Sequence, residues 1–121
     1  MFYCLIVGSR NFDNYELLKQ KCNYLLQNYK NIQIVSGGAR GADTLAERYA
    51  KENNYELRVF KADWDNYGKS AGYIRNDEMH KYISQFEERG IIAFWDGESK
   101  GTSHNFSLAK KYNNKIKIIE Y

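Results

Sequence analysis

The stretch IVSGGARGAD, residues 34–43, has the residue types and spacing that suit binding of an anion. A β-branched run leads into Ser36, Gly37 and Gly38, and Gly41 precedes an alanine-rich helical pattern. Glycine allows positive φ and close approach of a ligand to the main chain, and the N–H groups at a helix N-terminus attract phosphate. The spacing is neither that of a Walker A loop nor that of the dinucleotide fingerprint G-x-G-x-x-G. A tight structural turn is therefore the alternative to a phosphate seat at Gly37–Gly41.

Three cationic side chains are candidates to bind the same anion. Arg10 follows the first apolar run, Lys69 follows the third, and Arg75 lies within a helical pattern. A guanidinium suits two-point binding of a phosphate or carboxylate because its donors form a planar fork. The alternative for Arg75 is a salt bridge with Asp63 or Asp77. Because these cations can reach the same edge of the sheet as the glycine turn, they favour phosphate binding at Gly37–Gly41.

Carboxylates near the glycine turn are the candidates for acid–base chemistry. Asp43, Asp63 and Glu78 come first, and Asp65 and Asp96 are further candidates, because a carboxylate in a crevice activates water or stabilises an oxocarbenium ion. Asp43 either caps its helix and faces away, or accepts hydrogen bonds from ribose hydroxyls. The sequence shows no Ser/His/Asp order, Cys/His pair or metal-spaced cluster. We therefore predict neither a metal nor a cofactor.

Aromatic residues after the strand ends have two interpretations. Trp64, Tyr67 and Trp95 belong either to the core or to a surface on which a base stacks, and stacking suits Trp64 better than Trp95. His80 and His104 have no obvious partner in the sequence, and we expect both at the surface.

Five apolar runs alternate with four helical patterns along the chain. The runs that predict strands are 2–8, 32–36, 55–60, 90–95 and 115–121. The helical patterns cover 13–29, where Asp13 and Glu16 suit a capping box, then 42–50, 70–89 and a segment capped by Thr102. This alternation predicts a single α/β domain over residues 1–121. We expect a Rossmann-like three-layer domain with a five-stranded parallel sheet, order 3-2-1-4-5, and helices on both faces.

Polar and glycine residues concentrate after the strands, whereas the opposite ends carry ordinary loops such as NYKN and ENN. Open parallel sheets bind ligands outside the carboxyl ends of their strands, so one rim is predicted to be the site. The candidate ligand-binding residues of this rim are Gly8, Ser9, Arg10, Ser36, Gly37, Gly38, Arg40, Gly41, Asp43, Asp63, Trp64, Gly68, Lys69, Gly72, Arg75, Asn76, Asp96, Gly97, Ser99, Gly101 and Thr102.

Composition limits the classes of protein to which this chain can belong. Its 121 residues suit one domain, 43% are hydrophobic, and a net charge of +3 neither requires nor excludes nucleic acid. Cys4 and Cys22 lie in apolar patterns and are expected to be buried thiols in a reducing compartment. No run reaches the roughly 20 apolar residues of a membrane span. We expect a cytoplasmic protein without a membrane partner.

Four motifs, GSRNF, VSGGARGADTLAERYA, ADWDNYGKSAGYIRNDEM and AFWDGESKGT, follow one another along almost the whole chain. In this order they resemble the short YspA-type proteins of the SLOG superfamily, relatives of the Smf/DprA proteins and of the LOG cytokinin-activating enzymes. The resemblance implies a Rossmann-like domain that binds a nucleotide or nucleotide-derived ligand, with phosphate on Gly37, Gly38 and Gly41. It also implies ligand-binding roles for the residues that match the other three motifs. These are Gly8, Ser9 and Arg10 in the first, Asp63, Trp64, Gly68, Lys69, Gly72, Arg75, Asn76 and Met79 in the third, and Asp96, Gly97, Ser99, Gly101 and Thr102 in the last.

The relatives supply two further hypotheses. LOG enzymes carry PGGxGTxxE and hydrolyse the N-glycosidic bond of a nucleoside 5'-monophosphate. The turn here has one more residue between its glycines, lacks the proline, and offers no clearly aligned glutamate. DprA proteins bind single-stranded DNA, but this chain has no clear basic groove pattern. We therefore expect a binding module that senses or sequesters a nucleotide-derived small molecule, and analogy with the family suggests a homo-oligomer.

Overall fold

The computed structural model describes residues 1–121 as alternating strands and helices. The strands are β1 (Phe2–Gly8), β2 (Ile32–Ser36), β3 (Glu56–Val59), β4 (Arg89–Trp95) and β5 (Ile116–Glu120). The helices are α1 (Tyr15–Leu25), α2 (Ala42–Glu52), α3 (Trp64–Tyr67), α4 (Ala71–Ser84) and α5 (Lys100–Lys111), with a 3-10 turn at Gly68–Ser70. The five apolar runs thus predicted the five strands, and no strand end differs from its expected position by more than about one residue.

All five strands are parallel and hydrogen-bonded in the order β3-β2-β1-β4-β5. The predicted Rossmann-like α/β fold and strand order 3-2-1-4-5 are confirmed. β2 and β3 lie on one side of β1, whereas β4 and β5 lie on the other. The loops after β1 and β4 therefore run to opposite sides and leave a crevice between them at the carboxyl edge.

Both faces of the central strands are buried. Cys4 and Ile6 of β1 pack into one core with α1 and α2, whereas Leu5 and Val7 pack into a second core with α4 and α5. This division follows from the two-residue period of a strand, which sends successive side chains to opposite faces. Two helical layers therefore cover the sheet and fix the rim from both sides.

The caps of two helices differ from the sequence-based expectation. Asn14, rather than Asp13, caps α1, because its side-chain oxygen accepts a hydrogen bond from the Leu17 amide at 3.1 Å. Ser99, rather than Thr102, caps α5 and accepts from the Thr102 amide at 3.3 Å. Asp13 and Asn14 are both good capping residues, as are Ser99 and Thr102, and pattern alone did not distinguish within either pair.

The segment after β3 contains a short helix that the sequence pattern does not predict. Asp63 caps α3 by accepting from the Asn66 amide at 3.3 Å. The chain from Trp64 to Ser70 has no buried residue, so no apolar period could reveal it. This exposed segment leads into α4 at the rim. None of the helices is long and apolar enough to cross a membrane.

Candidate functional site

A cleft of about 770 Å³ opens at the carboxyl ends of the strands. It is lined by the loops after β1, β2 and β4 and by residues of α4 and α5. The residues that line it are Val7, Gly8, Ser9, Arg10, Asn11, Ala39, Arg40, Asp43, Trp64, Lys69, Gly72, Tyr73, Arg75, Asn76, Met79, Asp96, Ser99, Gly101, Thr102 and Asn105. The structure therefore brings together most of the candidate ligand-binding residues.

A second cavity of about 660 Å³ adjoins this cleft beside the glycine turn. Its lining residues are Arg10, Gly37, Gly38, Ala39, Arg40, Lys61, Ala62, Trp64 and Arg75. We call the first cavity the main cleft and the second the side cleft. Gly37 and Gly38 thus face the side cleft, whereas Arg40 borders both.

The glycine turn adopts a conformation that its residue types make accessible. Gly38 and Gly41 have φ values of 71° and 80°, in the region that favours glycine. A Cβ at Gly41 would lie 2.5 Å from the carbonyl oxygens of Ser9 and Arg10, so the loops after β1 and β2 touch here. The Ser36 hydroxyl accepts a hydrogen bond from the Gly38 amide at 3.2 Å and holds the start of the turn.

Arg75 reaches from α4 to the turn. Its guanidinium donates to the carbonyl oxygen of Gly37, and its Nε donates to the Asn76 Oδ1 at 3.0 Å. The residue is only 9% exposed. Burial lowers the pKa of Arg75 from its ordinary value, the Asp43 carboxylate opposes this shift, and the charge of Arg10 adds to it. A cation is thus held partly desolvated at the wall of both clefts.

Arg75 forms no salt bridge. The ion pairs of the structure are Arg48–Glu52 and Lys111–Asp77, both at the surface. The interpretation of Arg75 as a partner of Asp63 or Asp77 is therefore wrong, because α4 directs its side chain toward the glycine turn instead.

Asp43 is buried beneath the turn and borders the main cleft. Its Oδ2 accepts a hydrogen bond from the Ala39 amide at 3.1 Å. Burial raises the pKa of Asp43 to about 6, although the Ala39 amide and the Arg75 charge pull it down. The carboxyl group therefore faces the turn rather than solvent, and burial favours its protonated form more than in an exposed aspartate.

The loop after β4 also lines the main cleft, through Asp96 and Ser99. The Asp96 Oδ1 accepts hydrogen bonds from the Glu98 and Ser99 amides at 3.0 and 2.8 Å, and these bonds lower the pKa of Asp96. The Asp96 amide in turn donates to the Ser9 hydroxyl at 3.2 Å. This carboxylate organises the loop and ties it to β1.

Two buried carboxamides, Asn76 and Asn105, also line the main cleft. The Nδ2 atoms of both donate to the Gly101 carbonyl oxygen, at 3.5 and 3.2 Å. His80 bonds through Nε2 to the Asn105 Oδ1 at 2.9 Å, which requires Nε2 to carry the proton. The expectation of a surface His80 is wrong: its ring is fully buried behind Asn105.

Two exposed aromatic side chains, Trp64 and Tyr73, line the main cleft, and Tyr67 is exposed on the same short helix as Trp64. Trp64 and Tyr73 are each 49% exposed, and Tyr67 is 52% exposed. The Arg10 guanidinium lies 5.9 Å from the centre of the Trp64 ring. Trp64 therefore does not belong to the core, whereas Trp95 is half-buried and packs edge-on against Phe106.

Some candidate residues shape the rim without lining either cleft. They are Ser36, Gly41, Asp63, Gly68 and Gly97. Glu78 is exposed on α4 and lines neither cleft, and Asp65 likewise stays outside. Of the carboxylates considered for acid–base chemistry, Asp43 and Asp96 border the main cleft.

Sequence reasoning missed Asn11, Lys61, Tyr73 and Asn105, which line the clefts. Asn105 lies three residues after Thr102 and Tyr73 three before Asn76, so helical spacing from a candidate residue was the available signal. No group of three His, Cys, Asp or Glu side chains is placed to hold a metal ion.

The sheet order and the position of the clefts define a Rossmann-like α/β domain with its crevice at the carboxyl edge. The sequence profile described as YspA, cpYpsA-related SLOG family matches residues 4–67. A relative, the Gene 61 protein of Mycobacterium phage D29, is 34% identical over 113 residues, which cover 88% of this chain and 87% of the relative. The chain belongs to the YspA, cpYpsA-related SLOG family.

Two solved structures share the fold. DNA processing protein A of Helicobacter pylori, described by its single-stranded DNA binding mode, superposes with a TM-score of 0.72 at 18% identity over 99% of this chain. DNA processing protein A of Streptococcus pneumoniae gives a TM-score of 0.66 at 20% identity over 100% of this chain. The chain spans 66% and 51% of their respective lengths, so the likeness concerns the shared domain.

Proposed function

We propose that this protein binds a nucleotide or nucleotide-derived ligand across the carboxyl ends of its strands, as a sensor or sequestering module. The ligand's phosphate lies against the Gly37–Gly41 turn and the Arg75 guanidinium. Family membership supports a role in nucleotide-related binding, and the chemistry of the clefts supports the phosphate.

Arg75 is the observation that carries this proposal. Buried charges in proteins are normally paired, because removal of an ion from water costs several kcal/mol. Arg75 is 9% exposed and has no carboxylate within salt-bridge distance, yet it borders a cleft large enough for a ligand. The Asp43 carboxyl group is near but forms no ion pair with Arg75. A phosphate in that cleft would supply a direct ionic partner through two-point hydrogen bonds.

The surroundings of Arg75 favour the same ligand chemistry. Arg10, Arg40 and Lys69 line the main cleft, and the amides of Arg40 and Gly41 have no acceptor within the chain. The half-exposed Trp64 ring offers a face on which a base stacks. Cations, main-chain donors and an aromatic face together match a phosphate joined to a nucleoside.

Asp43 favours a second candidate, hydrolysis of a nucleoside 5'-monophosphate at its N-glycosidic bond. A carboxyl group with a pKa of about 6 at the edge of the phosphate seat suits acid–base work near neutral pH. Water would add across the bond, which yields free base and ribose 5-phosphate. Asp63 and Glu78 are less suited to this role because neither lines a cleft.

Exposed aromatics favour a third candidate, binding of single-stranded DNA, which is a property of one structural relative. Trp64, Tyr67 and Tyr73 could each stack a base beside the cationic cleft. The net charge of +3 is small for a polyanion-binding surface, so we rank this candidate below a small ligand.

Native mass spectrometry of the purified protein, followed by a nucleotide panel in thermal-shift assays, tests the proposal. We expect a nucleotide to raise the melting temperature of the wild type and of Arg48→Ala, but not of Arg40→Ala. Arg48 provides the matched control because it is an exposed arginine on α2, remote from both clefts. If the Arg40→Ala variant binds every nucleotide as the wild type does, Arg40 has no part in the seat.

The same incubation separates the other candidates. Release of free base and ribose phosphate would promote the hydrolase. Preferential binding of a single-stranded oligonucleotide, steeply weakened by salt, would promote the DNA-binding candidate. A protein that responds to no nucleotide would leave the glycine turn as a purely structural feature.

A further inference from the structure

We propose that the main and side clefts form one continuous site for a ligand in which two nucleoside-sized groups are joined through a pyrophosphate. This inference rests on the proposed function and names the class of its ligand. The pyrophosphate would lie between the clefts, and one organic group would occupy each of them.

The two clefts meet along a common wall. The residues that border both are Arg10, Ala39, Arg40, Trp64 and Arg75. The volumes of about 770 and 660 Å³ each fall within the roughly 300–1,000 Å³ typical of small-molecule sites. A mononucleotide bound in one cleft would leave the other cleft without a ligand group.

The charge of the common wall exceeds the need of one phosphodiester. Three guanidiniums, those of Arg10, Arg40 and Arg75, border it. Arg10 and Arg75 are near enough that the charge of Arg10 lowers the pKa of Arg75. Like charges brought together in this way are stabilised by a ligand with more than one negative charge. A pyrophosphate diester carries two, whereas each linkage of a DNA strand carries one.

Each cleft adds one lysine beyond the common wall. Lys69 lines only the main cleft and Lys61 lines only the side cleft. Of the carboxylates of the main cleft, Asp96 already accepts two main-chain hydrogen bonds, and Asp43 accepts one. The two lysines therefore flank the arginines, and the positive charge is distributed on both sides of the proposed position of the pyrophosphate.

The outer parts of the clefts differ in chemistry, which fits two unlike or separately bound groups. Beyond the common wall, the main cleft is lined by the buried, neutral Thr102 and Asn105. Asn105 bonds to His80 and Gly101 and keeps one Nδ2 hydrogen for a base edge or a sugar hydroxyl. The side cleft is bordered by the main chain of Gly37 and Gly38. Trp64 borders both clefts, where its ring can stack on a base.

Isothermal titration calorimetry with AMP, ADP, P1,P2-diadenosine diphosphate and the dinucleoside monophosphate ApA tests this inference. We expect the diadenosine diphosphate to bind about tenfold or more tighter than AMP. Lys61→Ala and Lys69→Ala should each weaken its binding about two- to fivefold, whereas only one of them should weaken binding of AMP. Lys51→Ala, an exposed lysine at the end of α2 outside both clefts, is the matched control.

The other outcomes separate this inference from the proposed function. If AMP binds as tightly as the diadenosine diphosphate and Lys61→Ala weakens neither, the two-cleft site is wrong and the phosphate seat stands. If ApA equals or exceeds the diadenosine diphosphate, the linkage is a phosphodiester and the pyrophosphate inference is overturned. If a nucleotide of the thermal-shift panel binds but the diadenosine diphosphate does not, only the two-cleft site is wrong. If neither the panel nor any of the four compounds binds, the proposed function fails as well.

Discussion

The guanidinium of Arg75 donates a hydrogen bond to the carbonyl oxygen of Gly37, so a side chain of α4 fixes the turn that follows β2. A Cβ at Gly37 would lie 2.9 Å from the Asp43 Oδ2 and 3.1 Å from the Arg75 Cζ. Gly37 does not have a positive φ, so its backbone conformation does not require glycine. Glycine is required here because a cation and a carboxyl group approach the main chain too closely for a Cβ. This arrangement gives the glycine turn its electrostatic character.

The first prediction concerns the shape of the Arg75 side chain. Arg75→Lys preserves the charge but removes the planar fork that reaches both Gly37 and Asn76. We expect nucleotide affinity to fall about tenfold or more, with a change in the free energy of unfolding below about 2 kcal/mol. Calorimetric titration and urea unfolding of the same preparations measure the two quantities.

Arg58→Lys serves as the control, since Arg58 is exposed on β3 and lines neither cleft. Equal nucleotide affinities for the wild type and Arg75→Lys would show that Arg75 supplies only charge, or that it has no contact with the ligand.

The second prediction concerns the cost of the buried Asp43 carboxylate. The pKa of Asp43 is about 6 in the folded protein, above its ordinary value of 3.8. The folded state therefore binds the proton more tightly, and its stability falls as pH rises from about 4 to about 6. Asp43→Asn keeps an oxygen for the Ala39 amide and should be more stable above pH 7, by up to about 3 kcal/mol.

Urea unfolding at pH 4.0 and pH 7.5 tests this sign. The advantage of Asp43→Asn should disappear at the lower pH, and Asp13→Asn, which changes an exposed carboxylate, should show no such advantage at either pH. A stabilisation of Asp43→Asn that is equal at both pH values would mean that charge burial is not its cause.

Strand positions followed from the sequence because buried parallel strands are continuous apolar runs, such as Cys4–Val7 in β1. The place of the two clefts followed from the same alternation, because the carboxyl ends of parallel strands meet at one edge. Glycines, arginines and the motifs after each strand could therefore be assigned to one rim without coordinates.

Long-range packing decided what the sequence could not show. His80 is buried because Asn105, from a different helix, provides a hydrogen-bond partner 25 positions away. The residues of α3 are all exposed, and Asp63 caps the helix. A periodic pattern of apolar residues therefore could not predict it. The direction of the Arg75 side chain likewise depends on how α4 crosses the sheet. Partners of polar side chains are set by tertiary structure, and local pattern does not encode them.

The third prediction compares two glycines of the rim. A Cβ at Gly41 would meet the carbonyl oxygens of Ser9 and Arg10 at 2.5 Å, and its φ is 80°. A Cβ at Gly101 in α5 would have no neighbouring atom within 4 Å, so alanine there removes only the flexibility of glycine. We expect Gly41→Ala to destabilise the fold by about 2 kcal/mol or more. Gly101→Ala should stabilise it by about 0.5–1 kcal/mol.

Thermal and urea unfolding of the two variants give the comparison directly. Similar stability of Gly41→Ala and the wild type would mean that the loops after β1 and β2 separate at little cost, and that the close contact at Gly41 is dispensable.

The fourth prediction concerns His80, whose effect on stability has the opposite pH dependence to that of Asp43. Burial lowers the pKa of His80 to about 4, below its ordinary value of 6.5, although the hydrogen bond with Asn105 opposes the shift. Since the unfolded chain binds the proton more tightly, this contribution is complete above pH 6.5 and is lost as pH falls toward 4. His80→Gln retains an N–H donor for Asn105 but does not titrate. Between pH 7 and pH 5, the free energy of unfolding of the wild type, measured in urea, should fall by about 2 kcal/mol relative to that of this variant. If the two proteins show parallel pH profiles, the imidazole of His80 is not buried in its neutral form.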